Sequence, residues 1–169
     1  MTNRFDSELR LVLIALSALA LAACAWQPPV DDRAAAERVR APAAEQSRGL
    51  QVYPLQNPAV AELTEAADQA ERDGDLARAA SLLERALRIE ARDPKVLQHL
   101  AEIRLAQGNW EQAESQASRS FDLGPRVGEL CQRNWRTIAL ARERLDRFEG
   151  AYRARERLQD CQVEPPPRF

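Results

Sequence analysis

The sequence predicts an all-α protein, three helical hairpins stacked as a solenoid behind a signal peptide and a flexible tether. Three observations lead there. Ala, Leu, Glu and Arg are abundant and aromatic residues make up only 5% of the chain, a composition that favours helices. Residues 60–93 and 94–127 repeat one another at a fixed offset of 34. Capping residues and glycines punctuate both copies at matching places, as helix starts and stops require.

The chain opens with Arg4 and Arg10, followed by a continuously apolar stretch over 11–20. A charged start, a short apolar core and small residues form the layout of a secretory signal. The core is too short for a transmembrane helix, which takes about 20 apolar residues. Leu21, Ala22, Ala23 and Cys24 close the stretch, and this run resembles the lipobox of bacterial lipoproteins. The resemblance implies removal of residues 1–23 and a covalent lipid on Cys24. Ala25 follows the cysteine in place of the aspartate that holds such proteins in the inner membrane, which implies the outer membrane with the body facing the periplasm. The alternatives are an uncleaved signal-anchor or an ordinary secretory signal that contains a cysteine. Multiple acyl chains exceed the two-signal threshold for stable anchoring.

Residues 24–57 read as a flexible lipidated tether. Pro28, Pro29, Pro42 and Pro54 interrupt it, and the Ala/Arg/Glu stretch over 31–40 reads as at most transiently helical, with no apolar face large enough to dock. Random-coil scaling gives a reach of roughly 30 Å. Residues 50–55, with Leu50, Val52, Tyr53 and Leu55, pack as an edge of the domain or lie in its groove.

Residues 58–162 carry the repeats, about 60–93, 94–127 and 132–162. At the offset of 34, Leu63 pairs with Leu97, Ala67 with Ala101, Gly74 with Gly108, Leu76 with Trp110 and Ala79 with Ala113. A period of 34 with small residues at fixed places resembles the tetratricopeptide repeat. Leu63 and Leu97 stand where that family often has a large aromatic, and Ala70 and Arg104 where it often has tyrosine. Asn57-Pro58 and Asp93-Pro94 each supply an N-cap followed by proline in the first turn. Gly74 and Gly108 end the first helices, with Asp75 and Asn109 capping the second, which run over about 76–90 and 110–122. Asn109 with Gln112 has the spacing of a capping box.

A third unit fits at an offset of 38, which pairs Leu97 with Trp135, Ala101 with Ala139 and Ala113 with Ala151. No glycine separates its helices. Asp146 with Glu149 is the N-cap signal, and a single bent helix is the alternative. Cys131 and Cys161 then fall at adjoining ends of one antiparallel hairpin, within disulfide reach. Closing a loop of about 30 residues stabilises by roughly 3–4 kcal/mol. The Pro-rich tail, 163–169, cannot continue a helix.

Chemistry for catalysis is sparse. His99 is the single histidine, falls on a polar side of a first helix and reads as solvated. Glu84/Arg88 and Glu143/Arg147 read as ion pairs on solvated faces. The near-neutral charge of −2 argues against nucleic-acid binding. No enzyme, metal or cofactor is expected apart from the lipid. The tetratricopeptide resemblance implies a concave binding face formed by Ala61, Thr64, Asp68 and Glu71, then Lys95, Gln98, Glu102 and Leu105, then Arg133, Arg136, Leu140 and Glu143. That face runs from acidic to basic. The expected function is an outer-membrane, periplasm-facing adaptor for an envelope protein or peptide. Alternatives are a pilotin-like assembly chaperone and a self-associating structural protein.

Lipidation is testable directly. Cys24→Ala is expected to abolish metabolic palmitate labelling and to leave a slower-migrating precursor on gels. Normal labelling and processing of the variant would contradict the lipobox.

Overall fold

Side-chain caps at Asn57, Asp75 and Asp93 start three helices where the sequence marks them. The computed structural model describes residues 30–46 and 56–162, so the signal peptide, Cys24, residues 50–55 and the tail lie outside the described residues. Seven α-helices lie within them: α1 Arg33–Gln46, α2 Pro58–Arg72, α3 Leu76–Ile89, α4 Pro94–Ala106, α5 Trp110–Leu123, α6 Gly128–Arg144 and α7 Phe148–Glu156. A short 3-10 turn, Gln159–Cys161, follows.

Asn57 caps α2 by accepting from the Ala59 amide, Asp75 caps α3 through Arg78, and Asp93 caps α4 through Lys95 and Val96. Gly74 and Gly108 turn the chain at φ of +81° and +76°, backbone that glycine adopts without steric cost. The capping box at Asn109 does not form. Asn109 is the N-cap of α5 but makes no side-chain cap bond, and its amide donates instead to Gln107 Oε1 at 3.3 Å.

Successive helices pack as α2–α3, α4–α5 and α6–α7 hairpins, with α3 on α4 and α5 on α6 joining one hairpin to the next. Ala67, Ala79, Ala101 and Ala113 are fully buried. Their small side chains let neighbouring backbones approach closely. Val60, Leu76, Leu83, Val96, Leu100 and Ile103 form the core between the first two hairpins, and Ala117, Trp135, Ile138 and Ala154 continue it into the third.

The third unit is a hairpin rather than one bent helix. Asp146 makes the turn with φ of +56°, 38 residues after Gly108, so aspartate occupies the left-handed position that glycine holds in the earlier units. Arg147, not Asp146, is the N-cap of α7, and it makes no side-chain cap bond. The Cys131–Cys161 disulfide joins the start of α6 to the turn after α7 with a Cα–Cα distance of 5.5 Å, as the shifted alignment predicts.

The expected ion pairs along single helices give way to pairs between helices. Glu84 of α3 binds Arg104 of α4, and Glu143 of α6 binds Arg155 of α7. Arg147 reaches Glu114 of α5 at 3.1 Å. Closely packed helices bring these partners on different helices into reach.

Residues 33–46 correct the expectation that this stretch has no dockable face. They form α1, which packs on α4 and α6, with Ala35, Ala36, Val39 and Ala43 buried. Four small residues on one stripe suffice because α1 lies close against its neighbours. Asp32 starts the helix, accepting from the Ala35 amide at 3.1 Å.

A non-glycine residue in left-handed backbone is strained by roughly 1–2 kcal/mol, less for aspartate. Asp146→Gly is therefore expected to raise the melting temperature by a few degrees, measured by thermal circular dichroism. A lowered melting temperature would mean that the aspartate side chain contributes more than the strain costs.

Candidate functional site

The first helices α2, α4 and α6 line one face, as the repeat register requires, and α1 lies against it. Ala35 and Val39 of α1 pack with Leu105, Ala113 and Ala141, and with Trp110 and Leu140 at the edge. The groove is therefore filled along part of its length by a helix of the same chain.

A charged cluster fixes α1 in place. The Arg40 guanidinium lies between two carboxylates: Nη1 and Nη2 donate to Glu71 at 2.8 and 3.1 Å, and Nε donates to Glu102 at 2.6 Å. From the other side Arg133 donates to both Glu102 oxygens at 2.8 and 2.7 Å. Gln98 adds a bond to Glu102 at 2.9 Å and a second to Thr137 at 2.8 Å. The Glu102 side chain has no exposure. A buried carboxylate is costly unless it is paired and hydrogen-bonded, and here four donors meet it.

Those donors set its acidity. Burial pushes the Glu102 pKa up, but the charges of Arg133 and Arg40, with hydrogen bonds from Arg133 and Gln98, outweigh it and hold the carboxyl at about 2. Glu71 is also held below its ordinary value, where bonds from His99 and Arg40 overcome burial.

His99 is buried rather than solvated, a correction to the sequence reading. Its Nε2 lies 3.2 Å from Glu71 and 3.4 Å from Asp68. Asp68, Glu71 and His99 offer three ligand atoms within 4.8 Å of one another. Both Glu71 oxygens are already bound to the Arg40 cation, whose charge opposes a metal ion there.

The other expected groove residues divide by position. Leu105 is buried beneath α1. Thr64 is half-buried, its hydroxyl donating to Val60 O of its own helix at 2.6 Å. Lys95 is exposed at the start of α4. Arg136 and Leu140 line an open cleft of about 240 Å³ with Arg38, Val39, Arg155 and Leu158. Burial pulls the Arg136 guanidinium below its ordinary value. Sequence reasoning missed Arg40 and the Ala35/Val39/Ala43 stripe. The signal was present as apolar residues at spacings of four, but alanine made the stripe look too small to count.

A tetratricopeptide-repeat family model matches residues 70–120. The globular C-terminal domain of LpoP from P. aeruginosa is 39% identical, with a TM-score of 0.58 over 62% of this chain and 99% of that one. The first tetratricopeptide domain of Spaghetti, solved with an HSP90 peptide, is 16% identical with a TM-score of 0.56, over 63% of this chain and 84% of that one. The second Spaghetti domain, also bound to an HSP90 peptide, is 14% identical with a TM-score of 0.57, over 62% and 94%. At that identity the Spaghetti domains share the fold alone. No curated protein matches the chain.

The depressed carboxylates give a signed pH dependence. Glu102 is held at about 2 against an ordinary 4.5, so its stabilisation is complete above about 4.5 and is lost as pH falls through about 2. The melting temperature is expected to fall steeply with pH in that window. Glu102→Gln is expected to lower stability at neutral pH and to flatten the slope. An unchanged slope in the variant would place the acid sensitivity in other carboxylates.

Proposed function

Because the chain belongs to the same tetratricopeptide-repeat family as the globular domain of LpoP, we propose that it is an outer-membrane-anchored, periplasm-facing adaptor without catalytic activity. In this reading the lipid on Cys24 supplies the attachment, and no helix among the described residues is long and apolar enough to cross a membrane. The first-helix face receives a segment of an envelope protein.

The observation that carries this reading is the seat on α2, α4 and α6. It combines an apolar floor at Leu105 and Leu140 with carboxylates on α2 and α4 that grip a guanidinium, and it already accommodates a helix. Concave solenoid faces serve widely as binding surfaces. Holding a weak partner on a tether raises its effective concentration to millimolar values for short linkers. Charge around the cluster would act mainly on orientation and on the rate of encounter.

A photoreactive amino acid placed at Leu140 in cells is expected to crosslink one envelope protein. The same group at Arg88, exposed on α3, is expected to yield none. Both variants need unchanged circular dichroism. Equal crosslinking at the two positions, or crosslinking at Arg88 alone, would move the binding surface off the groove and defeat the adaptor reading as stated.

A further inference from the structure

We propose that α1 is an exchangeable occupant of the concave seat, and that the partner presents a helix of the same chemistry and takes its place. This rests on the adaptor reading and names the ligand class: an amphipathic helix with alanine- and valine-sized residues four apart and an arginine directly after the central one. In α1 those residues are Ala35, Val39 and Ala43, with Arg40 beside Val39.

Three observations support exchange over permanent integration. The first is that α1 is a poor helix by itself. It has 14 residues with Pro42 inside, and proline removes a backbone bond and crowds the preceding turn. Isolated helices of that length are marginal in water, so its helicity depends on the seat.

The second concerns what each side keeps when α1 leaves. Among its described residues, the buried apolar side chains of α1 are three alanines and a valine, a small contact. Glu102 still has two bonds from Arg133 and one from Gln98, and Glu71 still has His99 at 3.2 Å. The seat therefore keeps its carboxylates paired and in position, poised to accept another guanidinium.

The third is connectivity. Residues 47–57 separate α1 from α2, and α1 makes no packing with α2 comparable to its contacts on α4 and α6. The hairpins α2–α7 pack on one another in sequence, so α1 adds no link between consecutive hairpins that they lack without it. It competes for the seat as a covalently attached ligand, at an effective concentration on the order of millimolar.

The test uses the mature chain and a fluorescent peptide of its own residues 30–46. Val39→Asp combined with Arg40→Ala weakens the attached helix and leaves every residue of α2, α4 and α6 intact. The doubly substituted chain is expected to bind the wild-type peptide at least tenfold more tightly than the wild-type chain does. A peptide carrying Arg40→Ala is expected to lose binding to both. Equal affinity of the two chains, or no binding to a variant with unchanged helicity of α2–α7, would overturn the proposal. Hydrogen exchange on the wild-type chain gives a second readout that needs no variant. Amides of 36–46 are expected to exchange at least a hundredfold faster than those of α4, and equal protection would make α1 an integral part of the fold. Sedimentation decides the remaining occupant: dimers formed through α1 would assign the seat to a second copy and overturn the partner. The peptide result stands apart from the crosslinking result, since a groove partner could bind beside a fixed α1.

Discussion

The paired and buried carboxylate of Glu102 is the constraint around which this domain is arranged. It sits on the central first helix and accepts from α1 on one side and α6 on the other, so three helices meet at one charge. A carboxylate without exposure cannot stay ionised unless its oxygens are satisfied, and satisfying them fixes where Arg40, Arg133 and Gln98 lie. Such clusters seldom add much net stability over a well-packed apolar alternative. Their effect is on arrangement, because the Arg40 and Arg133 guanidiniums must both approach Glu102 from fixed directions.

Around that centre the architecture rests on close approach. Alanines at the hairpin contacts bring the helices near enough for ion pairs to cross from one helix to another, as Glu84 with Arg104 and Glu114 with Arg142 do. On the last hairpin Phe148 and Tyr152 stay largely exposed. The Cys131–Cys161 bond closes that hairpin by joining the start of α6 to the turn after α7. Closing that loop restricts the unfolded chain of the third unit.

The repeat was legible in the sequence because its signals are local. Asn57, Asp75 and Asp93 cap the helices that they precede, and two glycines mark two turns. Asp146 was harder to read, since aspartate suits both left-handed backbone and an N-cap, and its residue type pointed first to the cap. The groove residues were placed on one face by register alone, which is geometry. What covers that face was not legible. His99 reads as solvated only if nothing lies above α4, yet α4 is in contact with α1, α3, α5 and α6. The covering helix was hidden by Pro42 and by a stripe of alanines, which periodicity weighs lightly although close packing needs it.

Asp32 caps α1 and joins its start to the body at two points. Its amide donates to Ala106 O at 2.8 Å, its carboxylate caps α1, and the same carboxylate meets Arg144 at 2.5 Å. Val30 lies just before it, against Gly108. With an acyl anchor at Cys24, only six residues then separate the bilayer surface from a fixed point on the solenoid, about 20 Å of chain at full stretch. Released from the seat, the free chain would run from Cys24 to Asn57, a contour of roughly 110 Å. If α1 exchanges as proposed and Cys24 carries the anchor, occupancy of the groove would set leash length, and a partner that displaced α1 would let the domain stand farther from its membrane.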